Sequence, residues 1–134
     1  MKIIKKRIII AGGRDFDDFE KLCYEFSKHV GVVGFQNIEI ISGLARGADM
    51  LGVKFANDYG VELKKFPAQW DLYGKSAGYI RNEEMAKYAS EYGNGSNGML
   101  IAFWDGKSKG TKHMIDLAVK YNLRTRVVEY RRNP

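Results

Sequence analysis

Three stretches of the chain join bare backbone to a positive side chain, the pairing that captures a phosphate. The first is Ala11-Gly-Gly-Arg-Asp-Phe16. Gly12 and Gly13 let the main chain approach a ligand closely and leave amides open at a helix start. Arg14 can grip a phosphate or carboxylate through two parallel hydrogen bonds. Asp15 has two readings, a ligand contact or the N-cap of a tight turn. The second stretch, Ser42-Gly-Leu-Ala-Arg-Gly-Ala-Asp49, brings Ser42, Gly43, Arg46, Gly47 and Asp49 within eight residues. An anion cradle needs such amides and one mobile cation. Asp49 can hold Arg46 in place or accept a ribose hydroxyl. In the third, Phe103-Trp-Asp-Gly-Lys-Ser-Lys-Gly-Thr-Lys112, Gly110 and Thr111 open a helix, with Thr111 as N-cap or phosphate ligand. Lys107, Lys109 and Lys112 add positive field there.

A fourth segment, Pro67 to Asn82, is long for a strand-to-helix connection. Trp70 and Tyr73 can form a stacking wall over a base, or pack as a satellite on the sheet edge. Arg81 and Asn82 lie in the first turn of the following helix and point toward the same cleft. Glu83 or Glu84 can pair with Arg81 or stay solvated. Neither a Walker A loop nor a regular Gly-x-Gly-x-x-Gly fingerprint is present. One cysteine and two distant histidines, His29 and His113, give no zinc spacing, so neither a metal nor a cofactor is expected. Cys23, beside Leu22 and Phe26, reads as packing.

Elements must carry these loops, and the hydrophobic pattern supplies them. Arg7–Ala11 is an unbroken apolar run, as a strand covered on both faces requires. Further strands are expected at Ile38–Ile41, Val61–Phe66, Met99–Trp104 and Arg124–Tyr130. Helical spacing covers Phe16–Val30, Ala48–Tyr59, Ala77–Tyr92 and Thr111–Tyr121, and the acids Asp15, Asp17 and Asp18 crowd the first helix start. Gly60 is a helix stop, and Gly93–Gly98 a polar turn. Strands alternating with helices imply right-handed β-α-β units. The expectation is α/β: one Rossmann-like, doubly wound parallel sheet of about five strands, helices on both faces, spanning 1–134 as one domain with 131–134 a frayed tail. Ligands of such sheets bind beyond the carboxyl ends of the strands, where the glycine-rich stretches fall.

Composition narrows the class. Of 134 residues, 45% are hydrophobic and 28% charged, as in globular chains. No apolar run approaches the roughly 20 residues that span a bilayer, so no membrane partner is expected. The basic start followed by a short apolar run does not fit a signal peptide, and a cytoplasmic protein is expected. The net charge of +6 gathers at the ends: +5 over residues 1–14, +5 over 105–134, and −4 between. That pattern fits a solvated surface or a nucleic-acid face.

These stretches taken together, Ala11–Phe16, Ser42–Asp49, Pro67–Asn82 and Gly110-Thr111, resemble the SLOG superfamily over nearly the whole chain, and within it the small YspA/YpsA-like group of bacteria and their phages. The second stretch is also similar to the Ser-Gly-x-Ala-Arg-Gly motif of the DNA-processing protein DprA, as is the Arg81-Asn82 helix start. The superfamily includes LOG enzymes, which cleave the N-glycosidic bond of nucleoside 5′-monophosphates. Their helix-start arginine matches Arg81, and the Gly-Thr of their Pro-Gly-Gly-x-Gly-Thr-x-x-Glu loop matches Gly110-Thr111. Two departures stand out. Trp104-Asp-Gly replaces Pro-Gly-Gly, and Met114 occupies the place of the catalytic glutamate. A carboxylate stabilises the oxocarbenium-like state of such cleavage. Asp15, Asp49, Glu84 or Asp105 would have to substitute, and the sequence does not choose among them.

The resemblance implies a binding module or sensor for a nucleotide or nucleotide-derived ligand, ADP-ribose-like or NAD-related. The alternatives are a hydrolase of such a ligand, with Arg81 and Arg46 as electrophiles, and a DprA-like single-strand nucleic-acid binder. A homo-oligomer is expected by analogy, through apolar faces on the second and third helices.

Overall fold

A computed structural model describes residues 5–30, 33–91 and 98–131. Among them run β1 (Lys6–Gly12), α1 (Phe19–Val30), β2 (Ile38–Ser42), α2 (Ala48–Tyr59), β3 (Glu62–Lys65), α3 (Trp70–Tyr73), α4 (Ala77–Ala89), β4 (Gly98–Trp104), α5 (Lys109–Lys120) and β5 (Arg124–Glu129). Short 3-10 turns at Phe35–Asn37 and Gly74–Ser76 precede β2 and α4.

The described strands form one five-stranded sheet in the order β3-β2-β1-β4-β5, and every neighbouring pair is parallel. β1 lies between β2 and β4, so the strand order reverses there. Period-2 alternation splits the core into two layers. Ile8, Ile10, Ile38, Ile40, Ile101 and Phe103 pack against Leu22 and Phe26 of α1 and Phe55 of α2. Ile9, Ala11, Ile41, Leu100 and Ala102 pack against Met85 and Ala86 of α4 and Met114 and Leu117 of α5. Helices therefore cover both faces, and the three inner strands need apolar residues on each side. β3 stands at an edge and is largely exposed.

Element boundaries depart from the hydrophobic pattern in informative places. α1 begins at Phe19, not Phe16, because Phe16 is buried in the loop and stacks on Phe103 at 4.4 Å. Asp18 caps the helix instead, its Oδ1 accepting the Lys21 amide at 3.1 Å. α5 begins at Lys109, not Thr111: Ser108 is its N-cap and accepts the Thr111 amide at 3.4 Å. The long connection after β3 contains α3, a single helical turn with Trp70 at its start. The expected helix to Tyr92 ends at Ala89, and β5 ends at Glu129 rather than Tyr130. Most of the polar turn at 93–98 and most of the tail from 131 lie outside the described residues.

Candidate functional site

Loop one leaves β1 at Gly12, where there is no room for a side chain. A Cβ at Gly12 would overlap the Phe103 carbonyl and meet Ala48 Cβ at 2.9 Å. Gly13 donates its amide to the Phe103 oxygen at 3.0 Å, and its carbonyl accepts from Phe16 at 3.2 Å and from Ala48 at 3.2 Å. Tyr130 closes the loop from outside. Its hydroxyl donates to Asp15 Oδ1 and sits against Gly13, and its ring meets Phe16 edge-on at 5.0 Å. Asp15 is thus a brace rather than a helix cap, and it lines a separate depression of mixed charge with Asp17, Asp18, Lys21, Glu129 and Arg131.

Loop two is wound tightly around buried groups. Ser42 is fully buried; its hydroxyl donates to the Asp49 carbonyl at 3.1 Å and accepts the Leu44 amide at 3.1 Å. Leu44 and Gly47 adopt positive φ, 64° and 81°. At Gly47 the conformation is compulsory, because a Cβ would overlap the Gly13 carbonyl and press on Arg14 at 2.7 Å. The first amide of α2 is thereby bonded to loop one, and Arg46 stays exposed.

Arg81, in the second turn of α4, reaches across to this loop. Its Nη1 donates to the Gly43 carbonyl and its Nε to Asn82 Oδ1 at 3.1 Å. A Cβ on Gly43 would meet Arg81 Cζ at 2.8 Å and Asp49 Oδ2 at 2.9 Å, so a side chain there would push one of these groups aside. Asn82, 7% exposed, donates to the Gly110 carbonyl at 3.3 Å and ties α4 to the start of α5. Trp104 staples the last loop through Nε1 to the Ser108 carbonyl at 3.1 Å, and Asp105 Oδ1 accepts the Lys107 and Ser108 amides at 2.9 and 2.8 Å.

Between these loops lies a cleft of about 460 Å³ at the carboxyl ends of β1 and β4, where the strand order reverses. Of the residues singled out above, Gly12, Gly13 and Arg14 line it from loop one and Asp49 from α2. Trp70, Arg81 and Asn82 line it from the α3–α4 segment, and Gly110 and Thr111 from α5. Asp15, Ser42, Gly43, Arg46 and Gly47 stand behind or beside that lining. Sequence reasoning missed Tyr79 and Lys75 in the wall, and Met85 lies in the floor. Tyr79, rather than Tyr73, joins Trp70 at the rim, with its ring edge-on to His113 at 4.6 Å. Met114 lies in the floor, 1% exposed. Of the four carboxylates weighed as substitutes for a glutamate there, Asp49 and Asp105 line the cleft.

The cleft's charges are uneven. Four cations, Arg14, Lys75, Arg81 and Lys107, face two carboxylates. Burial lowers the Arg81 pKa, Asp49 opposes that shift, and the nearby Arg14 guanidinium adds to it. Asp49 is 4% exposed, and burial pushes its carboxyl up to about 6 despite the Arg81 charge and the Ala45 amide, which Oδ2 accepts at 3.3 Å.

An all-parallel α/β sheet with a polar cleft at its strand-order reversal defines a Rossmann-like protein of the class that binds ligands at that point. The model of the YAcAr family, described as the YspA, cpYpsA-related SLOG family, matches residues 6–73, and the chain belongs to this family. Membership points to a nucleotide-related binding or modifying role. The chain is also similar to the Gene 61 protein of Mycobacterium phage D29, at 29% identity over 125 residues, covering 86% of this chain and 90% of that protein. No solved structure gives a significant match. No helix of the described residues is long and apolar enough to cross a membrane.

Proposed function

We propose that the cleft binds a nucleotide or nucleotide-derived phosphorylated ligand and that the protein works as a sensor or binding module. One observation carries the reading: loops distant in sequence bring Arg14, Arg81 and Lys107 to one cleft, past Gly12 and Gly13, whose amides, expected to be open, are bonded to Asp49 and Phe103. Two guanidinium groups suit the fork of a phosphate, and a 460 Å³ cleft has the volume of a nucleotide-sized site. Trp70, 52% exposed and lying over Gly78, and Tyr79, 47% exposed, offer aromatic faces to a base. Binding is favoured over hydrolysis because Met114 brings a thioether to the place where a LOG enzyme has its glutamate.

The test is calorimetric titration with nucleoside mono- and diphosphates, ADP-ribose and NAD, with chromatography of the same mixtures for released base. Binding without turnover is the expected result. Arg14→Ala should weaken it by about tenfold or more, the loss of a charge-assisted contact, and Trp70→Ala by a similar factor through lost stacking. Base release by the wild type would move the assignment to the hydrolase. Failure of every phosphorylated compound to bind would end the reading.

A further inference from the structure

Asn82 lines the cleft, yet its polar atoms all face the protein. Its Oδ1 accepts Arg81 Nε at 3.1 Å, and its amide group donates one hydrogen to the Gly110 carbonyl at 3.3 Å. These two partners fix which end of the amide is oxygen. The second amide hydrogen therefore faces His113 Nδ1, also at 3.3 Å, and that nitrogen has to accept it. Only a neutral imidazole with its proton on Nε2 can do so; a protonated ring would set N–H against N–H. His113 is half-buried in the second turn of α5, outside the cleft lining, and Tyr79 of α4 holds its ring edge-on at 4.6 Å. The chain of contacts ends on a cation of the cleft. Arg81 commits Nε to Asn82 and Nη1 to the Gly43 carbonyl. Its Nη2 is left on the Gly78 side of the cleft, 3.9 Å from where a Cβ on Gly78 would stand.

Resting on the binding reading above, we propose that His113 is a positioning residue of the anion site: its neutral imidazole, bare at Nδ1, locks Asn82, and Asn82 locks the Arg81 guanidinium that meets the ligand. The acids around the ring are Asp116 on its own helix and Glu83 on α4. Lysines already engage both, Lys112 on Asp116 at 2.7 Å, and Lys87 and Lys120 on Glu83 at 3.9 and 3.8 Å. Burial outweighs the two acids and lowers the His113 pKa, so the neutral ring is the form present at pH 7. The sign follows by linkage. The anion prefers the neutral form, so its binding lowers the His113 pKa further. Protonation of His113 then weakens affinity as pH falls, approaching tenfold per pH unit between the two values. Charge alone has the opposite sign, because an anion stabilises a nearby histidinium and raises its pKa. The direction of the shift separates positioning from attraction.

The test is ring-nitrogen NMR of the histidines between pH 5 and 8, in the free protein and with saturating sulfate or NAD, neither of which titrates there. The chain has two histidines, and the His113 signals are those lost in His113→Phe. The expected result is an Nε2–H tautomer at pH 7.5 and a His113 pKa lowered by either ligand. Calorimetry should show His113→Phe, which keeps a ring against Tyr79 but no acceptor, binding about two- to tenfold more weakly at pH 7.5, the loss of one hydrogen bond. His113→Asn, with an oxygen near the place of Nδ1, should bind within about twofold of wild type. Three results overturn the proposal and leave the binding reading intact: an Nδ1–H tautomer in the free protein, a His113 pKa that rises or stays when sulfate or NAD binds, or His113→Phe binding as wild type does. If sulfate, NAD and AMP all fail to bind at pH 5.5 and at pH 7.5, the binding reading falls and the proposal falls with it. The tautomer and pKa readings use the unmodified chain, so they decide the matter even if a variant fails to fold.

Discussion

At the scale of single residues, this cleft is made by what is missing from its glycines. Gly47 and Gly60 both adopt positive φ, 81° and 68°, but Gly60 is left-handed helical at ψ 32° while Gly47, at ψ −128°, lies in a region that side chains avoid more strongly. They differ in surroundings: a Cβ at Gly60 meets nothing, whereas one at Gly47 drives into Gly13 and Arg14. Gly60→Ala should therefore cost about 1 kcal/mol, the backbone penalty alone. Gly47→Ala should cost at least about 3 kcal/mol and should also displace Arg14, weakening ligand binding. Urea denaturation and titration of the two variants separate these effects. Equal losses at the two positions would show that loop one does not rest on Gly47.

At the scale of elements, the site depends on helix starts pinned to neighbouring strands. Ser108 caps α5 and meets Thr111 Oγ1 at 3.2 Å, while its carbonyl accepts from Trp104. Ser108→Ala should cost about 1 kcal/mol of stability, the usual loss for a removed N-cap. Asn82 joins α4 to that same turn, with its amide also 3.3 Å from His113 Nδ1. Asn82→Ala removes a buried bridge and leaves the Gly110 carbonyl without that donor, so a loss of about 1–3 kcal/mol is expected in thermal or chemical melts. Because the two residues share one turn, their losses should not add, and a double-mutant cycle measures the coupling.

For the whole molecule, Asp49 imposes a pH-dependent burden on folding. Its carboxyl titrates at about 6 folded against an ordinary 3.8, so the fold penalises the charged form. Stability from this group is highest below about pH 4 and declines as pH rises through 6, the reverse of a salt-bridged acid. The rise from 3.8 to about 6 corresponds to about 3 kcal/mol at neutral pH as an upper figure. Asp49→Asn, which keeps an oxygen for the Ala45 amide, should be more stable than wild type by about 1–3 kcal/mol at pH 7.5, by about a third of that at pH 4.5, and nearly equal to it only near pH 3. The difference between the two proteins cancels Glu25 and His29, whose pKa values are both lowered in the fold. Equal gains at both pH values would mean that packing, not charge, separates the two proteins.

Much of this was already legible in the amino-acid order. Apolar runs such as Arg7–Ala11 and Met99–Trp104, each followed by glycines, a cation and helical spacing, determine a parallel α/β sheet, because only strands buried on both faces need such runs. The same local logic located loop one and loop two, but it set Arg81 and Asn82 in the first turn of their helix, and they fall in the second. Tertiary structure decided which side chains share the cleft. Arg46, the cation of the most distinctive motif, is left outside because Gly47 turns the chain onto loop one. Tyr79 and Met85 are brought inside by the rotation of α4. Asp49 pairs through space with Arg81, 32 positions on, rather than with its neighbour Arg46. Such partnerships depend on packing between elements distant in sequence, and no local spacing encodes them.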